Sequence, residues 1–246
     1  MKICLAGNFK EQLMPAFVKA TPYRLQSMYF MEDWEIPYLN QFEFFMLDSG
    51  AFTFMSKKRT TNFDEYVAKY IDFINKNNID NFIELDIDSI VGLKKVEEYR
   101  DLINKETGKK CIPVWHRNRG IQYFKDCCKE YPYVAIGGLV VNEYENVNGL
   151  FDMFPYFISY AHHCGAKIHG LGFTRFDKLH NCHFDSVDST SWLSDSRYGR
   201  GSTMDVRSRK VVGFDIKNSR NVHYSELNEN SLERWKHIIE YYRCFC

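Results

Sequence analysis

Carboxylates stand beside two of the short apolar runs in this sequence. Asp48 comes directly after the run at residues 44–47, and Asp188 lies in Phe-Asp-Ser-Val-Asp-Ser-Thr at residues 184–190. A carboxylate beside a buried run costs free energy unless it binds a metal, pairs with a base or takes part in a reaction. Two such groups can divide the work at one carbon atom, one as nucleophile and one as general acid/base.

Three further acids, Glu84, Asp86 and Asp88, alternate with apolar residues in the segment Glu-Leu-Asp-Ile-Asp. Residues two apart on a strand point to the same side, so the three carboxylates are expected on one face. Two interpretations stay open at this point. The acids bind a ligand, or they form ion pairs with Arg117 or Arg119.

Polar residues and glycines stand at the ends of other apolar runs: His116, Gly137, Gly138, His169 and Gly170. Glycine lets the backbone approach a ligand closely, although a glycine pair is also common at a sharp corner. Each of these signals is weak alone. Together they predict a ligand pocket where the apolar runs end.

The order of elements predicts how these residues meet. Apolar runs typical of buried strands alternate with amphipathic segments typical of helices. The predicted strands are residues 2–6, 44–47, 82–86, 111–115, 133–136, 167–171, 184–187 and 210–214. The predicted helices are residues 63–75, 93–104, 121–131, 150–163, 175–179 and 231–242.

This alternation favours an α/β protein built as a single (β/α)8 barrel of the TIM type, and an open doubly wound sheet is the alternative. No low-complexity stretch or linker interrupts the pattern, so one domain is expected over residues 1–246. In a barrel of this type, the segments that follow the strands build the active site. The residues at the strand ends are therefore expected at one mouth.

The order of these motifs resembles the tRNA-guanine transglycosylase superfamily, whose members exchange guanine in a nucleic acid for a 7-deazaguanine. The resemblance is carried by Asp48-Ser49-Gly50, by an acid after the third strand, by Ala-Ile-Gly-Gly-Leu at residues 135–139 and by the run around Asp188. It extends from about residue 2 to residue 190. A TIM-type barrel and a pentosyltransferase activity are what the resemblance implies.

The resemblance also implies roles for single residues. Asp188 is the nucleophile that forms a covalent aspartyl-glycosyl intermediate, and Asp48 is the general acid/base. Asp185 is the alternative nucleophile, because Phe-Asp-Ser-Val at residues 184–187 fits the tRNA enzymes, whereas Ser-Thr-Ser-Trp at residues 189–192 fits the phage branch. Asp86 or Asp88 would accept hydrogen bonds from the base. The other expected pocket residues are Ser49, Gly50, Phe52, His116, Gly137, Gly138, Leu139, His169 and Gly170.

The chain departs from the tRNA enzymes near its end. Those enzymes carry a zinc subdomain with three closely spaced cysteines and a histidine, whereas only Cys244 and Cys246 stand here. A structural zinc site needs four ligands, so no metal, no cofactor and no zinc subdomain are expected. This feature and the compact length resemble the phage-type branch, which inserts 7-deazaguanines into DNA.

Three other functions stay open: a tRNA-directed transglycosylase, a metal-dependent barrel hydrolase, and a module that binds a deazapurine or a nucleic acid without turnover. The hydrolase would use His116, His169 and the carboxylates at positions 84, 86 and 88. DNA is favoured over tRNA as the polymer, with a small 7-deazaguanine base as the second substrate. The oligomeric state stays open.

The whole chain carries no net charge, with 32 basic and 32 acidic residues. Basic residues nevertheless cluster between positions 197 and 220, where Arg197, Arg200, Arg207 and Arg209 are expected to contact phosphates. The alternative is a solvated loop face. No signal peptide or membrane-spanning run is apparent, and no C-x-x-C pair occurs, so a cytoplasmic protein is expected, in the host cytoplasm if phage-encoded.

Overall fold

The computed structural model describes residues 1–56, 61–138, 149, 151–173, 175–179, 182–205 and 207–244. The strands are β1 (Lys2–Ala6), β2 (Tyr23–Ser27), β3 (Phe44–Asp48), β4 (Val114–Trp115), β5 (Tyr133–Ile136), β6 (Lys167–Gly170), β7 (Ser186–Ser189), β8 (Arg200–Asp205) and β9 (Lys210–Asp215). The α-helices are α1 (Met14–Ala20), α2 (Ala51–Ser56), α3 (Phe63–Lys76), α4 (Asp88–Val91), α5 (Leu93–Thr107), α6 (Gly120–Glu130), α7 (Phe154–His163), α8 (Phe176–Leu179), α9 (Ser194–Tyr198) and α10 (Tyr224–Cys244). Short 3-10 helices lie at Glu11–Leu13, Met28–Phe30, Asp33–Gln41, Arg117–Arg119, Ser191–Leu193 and Ser219–Asn221.

Strands β1 to β7 form one parallel sheet in the order β3-β2-β1-β7-β6-β5-β4. Because the strands are parallel, their carboxyl ends all lie at one edge of the sheet. In the register, Asp48 is beside Ser27 of β2, and Asp188 is beside Cys4 of β1. The predicted α/β class is confirmed, and the sheet is TIM-barrel-like, although as paired it is not a closed barrel.

The two edge strands of this sheet, β3 and β4, are linked through a short segment between them in the chain. Phe82 forms a single parallel bridge with Leu47, and Ile83 forms one with Ile112. The N–H of Ile83 donates to the carbonyl of Leu47 at 2.9 Å, and the N–H of Ile112 donates to that of Phe82 at 2.8 Å. The Tyr70 hydroxyl of α3 lies 3.1 Å from the Leu47 carbonyl and 2.9 Å from that of Ile83. The sheet therefore curls towards its own edge.

The predicted set of strands is wrong in two places. Residues 210–214 are predicted as a barrel strand, but β9 pairs antiparallel with β8 in a hairpin outside the parallel sheet. The parallel sheet contains β2 instead, which the apolar pattern conceals because alternate residues are polar. Arg24 and Gln26 of β2 are both buried and share the carboxylate of Glu35: Arg24 forms an ion pair with it, and the Gln26 amide donates to it at 2.7 Å.

The segment at residues 82–86 is also less regular than predicted, since it pairs only at Phe82 and Ile83. The polar run that follows leaves the strand conformation early. This places Glu84 and Asp86 in an irregular segment that leads to α4, which begins at Asp88. The three acids thus belong to a strand end, as expected, but not to one regular strand.

Each predicted helical segment contains a helix in the structure, with shifted ends. Helix α3 begins where the sequence indicates a cap, because the Asn62 side chain accepts from the N–H of Glu65 at 3.3 Å. Its apolar face buries Val67, Tyr70 and Ile74 against the sheet. The helix thereby supplies the tyrosine that holds β3 beside the bridging segment.

The last helix, α10, closes over the segment that follows β7. The indole N–H of Trp192 donates to the Ala6 carbonyl at the end of β1, at 2.7 Å. The hydroxyl of Ser231 in α10 donates to the Trp192 carbonyl at 2.6 Å. Trp192 and Trp235 are both fully buried. These contacts fix the chain where β7 ends, one turn beyond Asp188.

Candidate active site

Asp48 is partly buried at the carboxyl end of β3. Its carboxylate accepts a hydrogen bond from the N–H of Gly50 at 2.9 Å. Gly50 has a φ of 82°, and a Cβ there would lie 2.7 Å from the Cβ of Tyr29, so the Asp-Ser-Gly turn requires glycine. Burial raises the pKa of Asp48 to about 6 against the lowering effect of the Gly50 N–H, and the charges of Asp188 and Asp86 add to the rise.

The two residues after Asp48 hold this turn in place. The Ser49 side chain is buried, and its hydroxyl donates to the Glu84 carbonyl at 2.8 Å. The Tyr66 hydroxyl donates to the Ser49 carbonyl at 2.7 Å. Ser49, which is predicted to contact a ligand, thus contacts Glu84 and Tyr66 in the structure. Phe52, in α2, is 60% exposed, which leaves its ring open to a ligand.

Asp188 lies in β7 and is buried, with 7% of its surface exposed. One of its oxygens, Oδ1, accepts from the N–H of Gly172 at 2.7 Å and lies 3.2 Å from Nε2 of His169. The charge of Asp188 acts on Asp48, whose pKa it raises. Both predicted catalytic carboxylates stand towards the carboxyl ends of their strands, on β3 and β7, and the charge of one acts on the other.

Asp185, the alternative nucleophile, stands just before β7, at the opposite edge of the sheet. Its carboxylate accepts from the N–H of Ile168 at 2.8 Å and lies 2.9 Å from Nε2 of His162. Strand side chains alternate between faces, so residues three apart, such as Asp185 and Asp188, point to opposite faces. Of the two, Asp188 is the one whose charge raises the pKa of Asp48.

His169 is fully buried in β6 and contacts Asp188 of the neighbouring strand β7. Its Nδ1 lies 2.5 Å from the Ser186 hydroxyl, which lies 2.5 Å from the Tyr133 hydroxyl. His169 is predicted to line the pocket, whereas in the structure its side chain is fully buried and contacts the carboxylate of Asp188. Sequence reasoning missed Ser186 and Tyr133. Ser186 stands two residues before Asp188, and this spacing on a strand is the signal that could have identified it.

The second acidic group surrounds one guanidinium. Arg119 donates to Glu84 at 2.8 Å, to Asp86 at 2.6 Å and to Asp88 at 3.0 Å, and its side chain is only 1% exposed. Glu84 also accepts from Arg100 at 3.0 Å. Burial lowers the pKa of Arg119, but the three carboxylates outweigh that effect and raise it. Of the two interpretations of these acids, the ion pair with Arg119 is the one observed.

His116 completes this group at the end of β4. Its Nε2 lies 2.5 Å from Oδ2 of Asp86. Burial lowers the pKa of His116, but the hydrogen bond and the charge of Asp86 outweigh it, so the pKa is raised. A Cβ on Gly137 would lie 2.7 Å from Cε1 of His116, so this glycine makes room for the imidazole. The N–H of Gly137 donates to the Trp115 carbonyl at 2.9 Å.

Three predicted pocket residues remain: Gly138, Leu139 and Gly170. Gly138 has a φ of 75° and is partly buried. Leu139 lies outside the described residues. Gly170 is buried, and a Cβ there would lie 3.3 Å from Val187 and from Phe173, so its surroundings are tightly packed.

The basic segment forms the exposed end of α9 and the β8–β9 hairpin. Arg197 lies in α9, Arg200 begins β8, and Arg207 and Arg209 lie in the turn between β8 and β9. All four are exposed. The structure does not bring these arginines into the carboxylate site, and their exposure fits either phosphate contacts or a solvated face.

The residues of the hydrolase hypothesis are not gathered into one group. His169 contacts Asp188, whereas His116 contacts Asp86. Within the described parts of the chain, no three His, Cys, Asp or Glu side chains are arranged to hold a metal ion. Also within those parts, no helix is long and apolar enough to cross a membrane.

No family model matches this sequence, and no curated protein matches it. Among solved structures, the chain is similar to the carboxyl transferase domain from Rhizobium etli pyruvate carboxylase, with 11% sequence identity and a TM-score of 0.47. The match covers 98% of this chain and 48% of that chain, so this chain spans about half the length of that structure.

Proposed function

We propose that this chain is a base-exchange glycosyltransferase that replaces guanine in a nucleic acid with a 7-deazaguanine. The observation that carries the proposal is a pair of carboxylates on β3 and β7 that interact electrostatically and lie in different settings. Asp48 takes up a proton near neutral pH, because its pKa is raised to about 6. Oδ1 of Asp188 accepts a hydrogen bond from the N–H of Gly172 and lies 3.2 Å from Nε2 of His169. Such a pair supplies an acid and a nucleophile at one site.

In the first half of the proposed reaction, a carboxylate oxygen of Asp188 forms a bond to the anomeric carbon of the target nucleotide. The bond from that carbon to the guanine ring nitrogen breaks, and its electron pair stays on the guanine. Asp48 gives the departing base a proton. In the second half, Asp48 removes the ring N–H proton of the incoming 7-deazaguanine, whose nitrogen then displaces Asp188. The exchange needs neither an oxidant nor a metal.

Asp88 is the acid that we expect to meet the base. Both oxygens of Asp86 are engaged, Oδ1 by Arg119 and Oδ2 by His116. Asp88 pairs with Arg119 through Oδ2, and its side chain is 16% exposed, against 10% for that of Asp86. Its other oxygen is therefore better placed to accept from the N–H groups of a guanine-like ring. Arg119 holds the whole group in position for this contact.

DNA is the polymer that we propose, with tRNA as the alternative. In a duplex the target nucleotide must turn out of its stack to reach a carboxylate at the sheet edge. The exposed arginines of α9 and the β8–β9 hairpin would contact phosphates and so hold the strand without reading its sequence. The incoming base would be a free 7-deazaguanine, such as a 7-cyano derivative.

We also propose that the sheet and the bridging segment form a closed (β/α)8 barrel. Barrels of the TIM type have eight strands and a stagger of about eight residues. The stagger can be counted by following the paired positions from strand to strand around the sheet. Starting from position 52, on the extension of β3, the paired positions are 87, 116, 137, 171, 188, 4, 23 and finally 44, again on β3. The circuit therefore returns to β3 eight residues from its start, which is the stagger of such a barrel. The amides of Leu47, Ile83 and Ile112 should then exchange with solvent as slowly as those of β1. Fast exchange at these amides alone would indicate an open sheet.

The function is tested by incubating the purified protein with labelled guanine and either duplex DNA or tRNA at equal nucleotide concentration. Uptake of label into DNA is the expected result, and the Asp48→Asn variant should take up none. Label in tRNA alone would move the assignment to the tRNA-directed enzyme. Tight binding of the base with no uptake into either polymer would identify a binding module and overturn the proposal.

A further inference from the structure

A series of buried hydrogen bonds connects Tyr133, through Ser186 and His169, to Asp188. The Tyr133 hydroxyl lies 2.5 Å from the Ser186 hydroxyl, which lies 2.5 Å from Nδ1 of His169. Nε2 of the same imidazole lies 3.2 Å from Oδ1 of Asp188. Tyr133 is 8% exposed, and Ser186 and His169 are fully buried. The contacts join β5, β6 and β7, which are neighbours in the sheet.

The number of protons in this series of hydrogen bonds decides which group donates at each step. Each hydroxyl has one proton, and a neutral imidazole has one N–H. If Tyr133 donates to Ser186 and Ser186 donates to Nδ1 of His169, the N–H of the ring lies at Nε2 and faces the carboxylate. In the reverse direction, a lone pair on Nε2 would face the carboxylate oxygens of Asp188. Two acceptors facing each other in a buried place would leave both unpaired, which is costly.

We infer that His169 is a positioning residue for Asp188, donating from Nε2 to Oδ1 and leaving Oδ2 as the oxygen that attacks the sugar. The N–H of Gly172 donates to the same Oδ1 at 2.7 Å. Two donors on one oxygen fix the plane of the carboxylate and reduce the electron density of that oxygen, so the other becomes the better nucleophile. The assignment of an attacking oxygen rests on the proposed function. The direction of the hydrogen-bond chain does not.

The direction of the chain is tested by NMR of the histidine ring nitrogens in the unmodified protein. A protonated ring nitrogen shows a one-bond coupling to its proton, and an unprotonated one does not. The sequence has eight histidines, so the spectrum of the His169→Gln variant identifies the signal that belongs to His169. The expected result is a proton on Nε2 and none on Nδ1. A proton on Nδ1 and none on Nε2 would overturn the inference.

The catalytic consequence is tested with a matched pair of variants. In His169→Gln, the amide nitrogen can take the place of Nε2 and donate to Asp188. His169→Met has a side chain of similar length and no donor. Loss of a hydrogen bond to a charged group should slow formation of the glycosyl-enzyme in His169→Met by roughly 10- to 100-fold, with KM for the polymer nearly unchanged. His169→Gln should recover most of the rate.

Equal rates in the two variants, with both folded by circular dichroism, would show that the donor does not matter and would overturn the positioning role. Failure of the proposed function looks different. In that case the unmodified protein would exchange no base in DNA or tRNA, while the ring nitrogens still showed the proton on Nε2. The NMR result therefore decides the hydrogen-bond chain whether or not the proposed function holds.

Discussion

The two acidic groups of this protein differ in how their charge is balanced. Glu84, Asp86 and Asp88 surround the guanidinium of Arg119, which is almost completely buried among them. Asp48 and Asp188, in contrast, form no ion pair with a lysine or arginine in the described parts of the chain. They accept instead from backbone N–H groups and from a buried imidazole.

This difference separates carboxylates that serve the fold from carboxylates that are available for a reaction. A buried acid with its own arginine is fixed in place, although burial still raises the pKa of Glu84 against the charges of Arg119 and Arg100. Of the two acids without an arginine, Asp48 has its pKa raised to about 6, chiefly by burial. We therefore expect the Arg119 group to support the fold and to position Asp88 for the base, and Asp48 and Asp188 to carry the bond-making and proton-transfer steps; each assignment can be tested separately.

The largest expected effect is on activity and comes from Asp188. The Asp188→Asn variant should lose base exchange by several orders of magnitude, because an amide cannot form the glycosyl ester. Its melting temperature should stay close to that of the unmodified protein, since Asn can still accept from the Gly172 N–H. The matched control is Asp185→Asn, which should keep near-normal turnover. The reverse pattern would show that Asp185 is the nucleophile.

The next largest effect is on stability and comes from Arg119. Arg119→Leu removes the cation shared by three acids and should lower the free energy of unfolding by roughly 3–5 kcal/mol. Urea denaturation measures this change. Arg207→Leu is the control, because Arg207 is exposed and such changes stay within about 0.5 kcal/mol. A loss for Arg119→Leu as small as that of the control would remove the structural half of the comparison.

A smaller effect on stability, with the opposite sign, is expected at Asp48. Its pKa is raised from 3.8 to about 6, so the folded protein holds this proton more tightly than the unfolded chain does. The stability that comes from this proton is complete below the unfolded pKa and is lost as pH rises through the folded pKa. Asp48→Asn removes the charge and should unfold with a free energy roughly 1–3 kcal/mol higher than the unmodified protein near pH 8.

The advantage of Asp48→Asn should disappear near pH 4, where Asp48 is protonated in both states. Thermal or urea denaturation of the two proteins across this pH range measures it. Asp101→Asn, at an exposed position within α5, is a suitable reference for the general effect of removing one negative charge. An advantage that is the same at both pH values would show that burial does not hold the proton on Asp48.

The sequence located Asp48 and Asp188 because each stands at the end of an apolar run, and the ends of parallel strands meet at one edge. It did not decide between Arg117 and Arg119 as the partner of the acids, because that choice depends on where a 3-10 turn directs each side chain. The role of Gly137 was also hidden, since the imidazole that needs its space comes from another strand.

Two strands are predicted wrongly because their places in the fold depend on tertiary contacts and not on the local sequence pattern. β2 was missed because Arg24 and Gln26 face a buried glutamate rather than an apolar layer, and a sequence pattern does not show that pairing. The sequence predicts residues 210–214 as a barrel strand because Lys-Val-Val-Gly-Phe has the composition of a buried strand. Its place in a hairpin depends on β8, whose polar residues give no apolar pattern.

The smallest effect concerns the polymer. Neutralising Arg197 and Arg200 together should weaken binding to all DNA sequences and reduce the slope of log affinity against log salt by roughly 1–2. Titrations of duplex DNA at several salt concentrations measure this slope. Neutralising Lys19 and Lys105, which are exposed on other helices, is the control and should leave the slope unchanged. An unchanged slope in the arginine variant would show that this segment is only a solvated face.

The most direct test of the account is to trap the protein during turnover and find which residue carries the sugar. The protein is mixed with guanine-containing DNA in the absence of an incoming base, quenched in acid, digested and mapped by mass spectrometry. The account predicts a nucleotide-sized mass on the peptide that contains Asp188, and no such mass in Asp188→Asn. An adduct on Asp185, on Asp48 or on an acid of the Arg119 group would contradict it.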